Sequence, residues 1–159
     1  MNLDMELTMA IRAILATLLG GMVGWERYYR NKIDSEIRTF AAVSLGACTF
    51  SMVSGFVSLP GLSPTVISAQ IVSGIGFLGA GVILKDSGRV RGLATAASLW
   101  ATASIGMALG YGMYALGLLN AVLVFLVRHV PDWRHEDSTY QIEQQAGSAP
   151  SSPKDNLPS

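Results

Sequence analysis

One charged and two amide side chains lie inside apolar runs of this chain, where a lipid bilayer makes them costly: Arg12, Gln70 and Asn120. Such groups are functional candidates, because they need hydrogen-bond partners that lipid does not supply. At ~1.5 Å per residue of helix, Arg12 lies about 9 Å from Glu6 and Gln70 about 9 Å from Pro64. We predict a polar layer in the outer third of a helical bundle, where Arg12 finds acceptors among Gln70, Asn120 and nearby hydroxyl or backbone oxygens. Snorkelling of Arg12 to the outer surface is the alternative, which the short distance slightly favours.

A second group of polar side chains gathers near the loops that carry most of the cations. It comprises Glu26, Arg27, Arg38, Thr39, Asp86, Arg89, Arg91 and Thr95. Its chemistry is charge pairing, since an ion pair of Glu26 with Arg38 or Arg91 would relieve both desolvation and repulsion between cations. Contact of the cations with anionic lipid headgroups is the alternative, at ~1 kcal/mol for each.

Several chemistries lack the residues that they need. No Asp or Glu falls in the middle of an apolar run, whereas Mg²⁺ is commonly held by carboxylates, so a Mg²⁺ pathway within one copy is disfavoured. A pore of several copies lined by carbonyl groups is not excluded. Without a Ser-His-Asp set or an HExxH motif, we expect neither an enzyme nor a bound cofactor. His129 and His135 match no metal-ligand spacing, and a net charge of zero gives no argument for nucleic acid.

The elements that position these side chains are predicted to be membrane-spanning helices. Half of the 159 residues are hydrophobic and only 14% are charged, against about 25% in soluble domains. Five apolar segments approach the ~20 residues that cross a bilayer core, at residues 7–25, 40–59, 65–84, 93–110 and 112–127. The sequence predicts an all-α polytopic transmembrane bundle of about five spans over residues 1–130, with the last turn between residues 109 and 114. Four spans with a re-entrant segment are the alternative.

The positions of the basic residues predict the orientation of the bundle. Of eleven Lys and Arg, all except Arg12 fall in the first loop, in the loop at residues 85–92 or beyond the fifth segment. Because Lys and Arg favour cytoplasmic loops, we expect an external N-terminus and a cytoplasmic C-terminus. The first apolar run follows Asp4 and Glu6 and is expected to be retained as a span, not cleaved as a signal. Residues 131–159 hold four of the six prolines and are predicted to form a disordered cytoplasmic tail.

Small residues are frequent in the apolar runs and let helix backbones approach closely in lipid. We therefore interpret GIGFLGAG at residues 74–81 as a packing surface and expect a homo-oligomer formed through small-residue faces. Glycines expected to pack helices are Gly20, Gly24, Gly74, Gly76, Gly79, Gly81, Gly92, Gly106 and Gly110. LGGMV at 19–23 resembles LGAGV at 78–82, and IRTFAA at 37–42 resembles VRGLAT at 90–95. These pairs predict two parallel hairpin repeats plus a fifth helix, with chance similarity as the alternative.

Three segments resemble the MgtC/SapB family of bacterial inner-membrane proteins: LLGGMVGWER at 18–27, IRTFAAVSLGA at 37–47 and AQIVSGIGFLGAGVILKDSGRVRGLATAASLWATA at 69–103. The family pattern falls on Gly24, Glu26, Arg27, Arg38, Thr39, Gln70, Gly74, Gly76, Gly79, Gly81, Arg91, Gly92, Thr95 and Trp100. Glu36 and Ala94 depart from that pattern, so polar contacts there differ from those of the family. The 29 residues from Pro131 are too few for the folded cytoplasmic domain of better-known members, and functions of that domain are not carried over.

The resemblance implies a role connected with Mg²⁺ limitation or acid stress and with survival inside host cells. Family members resemble regulators of other membrane proteins, including membrane ATPases, more than pumps. We therefore expect a non-enzymatic inner-membrane protein whose partners are the lipid bilayer, other copies of the chain and membrane ATPases. A transporter or channel for Mg²⁺ or another ion, acting as an oligomer, is the alternative.

Overall fold

The described part of the chain contains five α-helices, one for each apolar segment of the sequence. The computed structural model describes residues 3–31, 35–56, 66–86 and 89–130, with the backbone only at 26–31, 35, 86 and 89. The helices are α1 (Leu3–Asn31), α2 (Ser35–Phe56), α3 (Val66–Val82), α4 (Leu93–Gly110) and α5 (Tyr114–His129). The prediction of an all-α bundle is confirmed. The residues predicted as a disordered tail lie outside the described part of the chain.

Helix lengths fit a bilayer. Leu3–Trp25 of α1, Glu36–Phe56 of α2 and the whole of α4 are long and apolar enough to cross a membrane. α3 has 17 residues and α5 has 16, which at ~1.5 Å per residue gives each a length of about 25 Å. A hydrocarbon core is about 30 Å thick, and flanking residues or local thinning of the bilayer accommodate the difference.

α1, α2 and α4 form the closely packed centre of the bundle. Side chains at Val23, Phe40, Cys48 and Ile105 are fully buried there, and the helix backbones approach one another at glycines. Gly20 of α1 meets Phe40 and Ser44 of α2, whereas Gly24 meets Ile37. Residue numbers therefore fall along α2 as they rise along α1, and the two helices run antiparallel.

α4 packs on α2 in a parallel direction, unlike α1, which is antiparallel to α2. Gly106 lies against Ser44 and Gly110 against Cys48, so α2 and α4 run in the same direction. Gly79 of α3 meets Ala96 of α4, and Leu109 of α4 meets Gly117 of α5. Second helices that run parallel, as α2 and α4 do, are required by successive hairpins of one orientation, but they occur in any bundle whose consecutive helices alternate in direction. The two parallel hairpin repeats therefore stay a prediction.

A short β-hairpin joins α3 to α4, an element that the sequence prediction of a basic loop did not include. Strand β1 (Leu84–Asp86) pairs antiparallel with β2 (Arg89–Arg91), with Leu84 opposite Arg91. Gly92 then begins α4 with a φ of +84°, in the left-handed region that side chains disfavour. The expected packing role of Gly92 is corrected: it shapes a turn, because a Cβ there would lie 1.9 Å from the carbonyl oxygen of Val82.

α3 lies at the edge of the bundle. Its contacts run along one stripe, on which Ser68, Ile71 and Gly79 are buried and Ile75 is half-buried. The remaining surface of the helix is exposed, including Phe77 at 81%. α3 is therefore attached to its neighbours over a much narrower area than α2 or α4.

Candidate functional site

Arg12 of α1 is held by groups at the junction of α4 and α5. Its Nε donates a hydrogen bond of 2.9 Å to the hydroxyl of Tyr114, and its Nη1 donates one of 2.9 Å to the carbonyl oxygen of Gly110. The guanidinium carbon also lies 5.6 Å from the centroid of the Tyr114 ring, within range of a cation–π contact. Arg12 thus binds a hydroxyl and a backbone oxygen. Gln70 and Asn120, the side-chain amides expected as acceptors, are not its partners.

The bond to Gly110 completes the end of α4. The last four carbonyl groups of a helix have no partner within it. Here the backbone amides of Tyr111, Gly112 and Met113 donate to Met107, Leu109 and Ala108, in that order. Arg12 satisfies the fourth carbonyl, that of Gly110. A cation at this end of the helix is also favoured by the helix dipole.

Two other polar contacts lie toward the same end of the bundle as Arg12. Asn120 of α5 donates a hydrogen bond of 3.3 Å to the hydroxyl of Ser104 in α4. The hydroxyl of Ser68 in α3 is hydrogen-bonded to that of Tyr111. Tyr111 and Tyr114 were not among the side chains predicted from the sequence, although the preference of tyrosine for the membrane interface was an available signal. These polar groups form separate pairs that join α1 to the end of α4 and the start of α5, α3 to the turn after α4, and α4 to α5. A polar layer in the outer third of the bundle stays a prediction.

Hydroxyl groups also lie in the packed centre between α1, α2 and α4. Ser44, Ser51 and Ser54 of α2 are each at most 1% exposed. Within the described part of the chain, the Oγ atoms of Ser44 and Ser51 have no hydrogen-bond partner. These serines are small enough for the close approach of Gly20, Gly106 and Gly110. The small size of these side chains is therefore what allows the helices to pack closely.

The expected packing glycines divide into two sets. A Cβ at Gly20, Gly24, Gly106 or Gly110 would come within 2.0–2.7 Å of a neighbouring helix, and Gly79 makes an ordinary contact of 3.5 Å with Ala96. A Cβ at Gly74, Gly76 or Gly81 would meet nothing described within 4 Å. Within the described part of one chain, these last three glycines lie against no neighbouring helix, and a packing role between copies stays a prediction for them. Their helix lies at the bundle edge.

At the end of the bundle that carries the basic loops, Arg38 and Arg91 are exposed and Thr95 is half-buried. The side chains of Glu26, Arg27 and Arg89 lie outside the described residues, so the ion pair of Glu26 stays a prediction. Arg128 of α5 places its guanidinium carbon 5.0 Å from the centroid of the Phe40 ring. This contact of Arg128 was not predicted from the sequence.

A groove opens between α2 and α3 and contains the third predicted polar side chain. Its volume is about 830 Å³, and Gln70, Arg38 and Thr39 are its polar lining residues. Gln70 is exposed. It lies only two residues along α3 from Ser68, which contacts Tyr111. Among the described residues, no group of three His, Cys, Asp or Glu side chains could hold a metal ion.

Replacing Arg12 by Gln is expected to lower the free energy of unfolding by about 1.5–3 kcal/mol, the range for hydrogen bonds to charged groups. Tyr114→Phe should cost less, since the bond to Gly110 remains. Unfolding titrations of both single variants and the double variant would measure a coupling free energy between the two residues. Asn120→Leu, which removes one longer neutral bond, is the control. Additive effects of Arg12→Gln and Tyr114→Phe would contradict the observed bond.

The apolar helices, the glycine contacts between them and the paired polar groups define a polytopic α-helical membrane protein of a bacterium. The chain belongs to the MgtC family, whose model matches residues 13–136. The resemblance noted in the sequence is thereby confirmed. No solved structure matches the chain.

Curated relatives cover most of the chain. It is 43% identical over 127 residues to a YhiD protein of Escherichia coli strain K12, whose name describes it as a candidate magnesium transporter. It is 46% identical over 112 residues to the protein MgtC of Brucella abortus and 44% identical over 114 residues to the protein MgtC of Salmonella typhimurium. These matches cover 76%, 70% and 72% of this chain, but 59%, 46% and 48% of the relatives. The chain thus spans about half the length of the relatives that it matches.

Proposed function

We propose that this chain is a non-enzymatic inner-membrane protein that modulates partner membrane ATPases under Mg²⁺ limitation or acid stress. One observation carries the proposal: Arg12, the ionisable side chain within the predicted spans, is engaged by Tyr114 and Gly110 of its own bundle. The bundle uses this charge for its own assembly. Membership of the MgtC family supports the link to Mg²⁺, and survival inside host cells is a further expectation from that resemblance.

Cation chemistry supports the same proposal. Mg²⁺ sheds its water reluctantly and is commonly bound through carboxylates, and the five predicted spans contain no Asp or Glu in their middle. Gln70, Asn120, hydroxyl groups and carbonyl groups are the oxygen donors at that depth, and Asn120 is bonded to Ser104. One copy therefore lacks the ligands for a Mg²⁺ path of its own.

An oligomeric transporter or channel for Mg²⁺ or another ion is the second candidate. The name of the relative from Escherichia coli strain K12 favours it, and carbonyl groups from several copies could line a pore.

Reconstitution of the purified full chain in liposomes that contain a Mg²⁺-sensitive dye separates the two. If the chain is a regulator, Mg²⁺ entry should not exceed that of liposomes without protein. An added Mg²⁺ ionophore is the positive control and should raise the dye signal. Co-purification of a membrane ATPase in mild detergent would complete the support. Protein-dependent Mg²⁺ entry would overturn the proposal in favour of the transporter.

We also propose a homo-oligomer that forms through the exposed small-residue face of α3. Ala69, Ser73, Gly76 and Ala80 are exposed at spacings of three and four residues, which places them on one face of the helix. Small residues at such spacings allow close contact between membrane helices.

A cysteine at Gly76 should therefore form a disulfide with a second copy when membranes are oxidised, giving mostly dimer on a non-reducing gel. Phe77→Cys is the matched control, since its side chain points about 100° away at the same depth. The native Cys48 is fully buried and is not expected to react. Equal dimer yields at positions 76 and 77 would count against this face.

The proposed orientation places the N-terminus outside and the C-terminus in the cytoplasm. A reporter that is active only outside should be active when fused after Leu62 and inactive when fused after Gly88. A reporter active only in the cytoplasm should give the reverse pair. The opposite result in both assays would show that the charge distribution of the loops does not set the topology.

A further inference from the structure

The groove between α2 and α3 is long and mostly apolar, with the basic side chain of Arg38 at one end. Its walls are almost entirely aliphatic or aromatic, and Gly46 of α2 and Gly74 of α3 leave it wide. A Cβ at either glycine would meet nothing described within 4 Å. Arg38 and Thr39 lie at one end, whereas Phe50 lies at the other. The groove thus combines a polar mouth with an apolar interior.

The length of the groove matches one leaflet of a bilayer. From Arg38 to Phe50 it follows twelve residues of α2, or about 18 Å at ~1.5 Å per residue. Half of a hydrocarbon core of about 30 Å is about 15 Å. A volume of about 830 Å³ falls within the ~300–1,000 Å³ of pockets that enclose small molecules. A lipid that enters at the Arg38 level could therefore lay an acyl chain along the groove.

The charge at the mouth indicates which lipid fits. Arg38 is exposed, and Leu78 of α3 lines the groove beside it. Lys85 follows Leu78 by seven residues in strand β1, and it is exposed, as is Arg91 in β2. This end of the bundle is therefore rich in accessible basic side chains. A phospholipid headgroup whose net charge is negative is complementary to them. A zwitterionic headgroup gains less from the same cations.

We propose that the groove binds one anionic phospholipid, with an acyl chain between α2 and α3 and the phosphate at Arg38. The site is independent of the proposed regulatory function. Arg38 holds the headgroup, and the open floor at Gly46 and Gly74 admits the chain. Gln70 lies eight residues from Leu78 along α3, about 12 Å away, too far to contact the headgroup.

Native mass spectrometry of the full chain in mild detergent tests the site. The probes are dioleoylphosphatidylglycerol and dioleoylphosphatidylethanolamine, which share their acyl chains and differ in charge. We expect one phosphatidylglycerol to bind at least fivefold more tightly than phosphatidylethanolamine. Arg38→Gln should reduce this preference about fivefold, the size expected for one basic residue near anionic lipid. Equal affinities of the wild type for both lipids would overturn the proposal.

Matched controls distinguish a site from general attraction to a basic surface. Lys85→Gln removes a cation at the same end of the bundle that does not line the groove, and it should leave the preference within twofold of wild type. Gln70→Leu should do the same. Equal losses in Arg38→Gln and Lys85→Gln would show diffuse electrostatic attraction and contradict a defined headgroup site.

Filling the groove tests the acyl chain separately. Gly74→Leu places a side chain in open space within the groove and should weaken binding of both lipids about tenfold, whereas Gly76→Leu on the other face should not. Soluble glycerophosphoglycerol should fail to displace the lipid, because it lacks the chain. Displacement by that headgroup alone would indicate a free phosphate site. Loss of dimer without loss of lipid in Gly74→Leu would indicate that a second copy occupies the groove. Either result would overturn the proposal.

Discussion

Gly106→Ala is expected to destabilise the bundle by about 3 kcal/mol, the upper part of the range for overpacking a tight interface. A Cβ at this position would lie 2.0 Å from the carbonyl oxygen of Ser44. The obstacle is backbone, which no rotamer change removes. α2 and α4 would have to separate, and the buried side chains of Cys48 and Ile105 would lose contacts. The measurement is the free energy of unfolding from a denaturant titration in mixed micelles.

Gly46→Ala is a control that should change the free energy of unfolding in the opposite direction. Gly46 lies inside α2, close in sequence to Ser44, and a Cβ there meets nothing described within 4 Å. Alanine inside a helix is more favourable than glycine by roughly 0.5–1 kcal/mol, so this variant should be slightly more stable than wild type. If Gly106→Ala were as stable as Gly46→Ala, the close approach of α2 and α4 would be wrong.

Gly92→Ala is expected to have an effect of similar size for two added reasons. A left-handed backbone costs an alanine roughly 1–2 kcal/mol, and φ at Gly92 is +84°. A Cβ would also lie 1.9 Å from the carbonyl oxygen of Val82. Strain and clash together should cost about 3 kcal/mol. Limited proteolysis at the β1–β2 hairpin and the unfolding titration would both report the change.

Gly112→Ala separates the two causes. Its φ of +76° is close to that of Gly92, but the nearest atom to its Cβ is Nη2 of Arg12, at 2.9 Å. Nη2 makes neither of the two hydrogen bonds of Arg12 and needs only a small shift to make room, so this variant should show mainly the backbone cost of ~1–2 kcal/mol. Equal losses in Gly92→Ala and Gly112→Ala would show that the contact with Val82 contributes nothing.

The role of each glycine could not be read from local sequence. LGGMV and LGAGV look alike, yet Gly20 packs against Ser44 whereas Gly81 meets nothing described within 4 Å. Small residues indicate that a helix can be approached closely. Whether a neighbour is there depends on where the whole helix lies, and α1 lies in the centre while α3 lies at the edge. Local pattern carries no information about that placement.

For Arg12 the sequence slightly favoured snorkelling to the surface, and otherwise offered amide, hydroxyl or backbone oxygens as acceptors without deciding among them. Depth and charge require hydroxyl or backbone oxygens nearby, and the structure supplies Tyr114 and Gly110. Their identity depends on the turn at residues 111–113, which leaves one carbonyl of α4 for Arg12. By its depth along the helix, Gln70 seemed as good an acceptor for Arg12 as Tyr114, but its side chain lines the groove between α2 and α3. Depth along a helix fixes height in the bilayer and leaves the direction around the helix open.

The β-hairpin was missed for a different reason. Each strand has three residues, too few to show the alternation of apolar and polar side chains that indicates a strand. The pairing places Leu84 opposite Arg91, a register that the residue types of so short a segment do not indicate.

The single contact stripe of α3 links the local stability of that helix to the composition of the surrounding membrane. A helix held over a narrow area separates from its neighbours at a smaller free-energy cost than the core helices. An occupant that binds only the docked state adds RT ln(1 + [L]/Kd) to its stability, or ~1.4 kcal/mol for each tenfold rise in concentration at saturation. At the proposed lipid site, the fraction of anionic lipid in the leaflet at the Arg38 end would set how often α3 separates from α2, and the yield of a cross-link between these two helices would become a measure of leaflet charge.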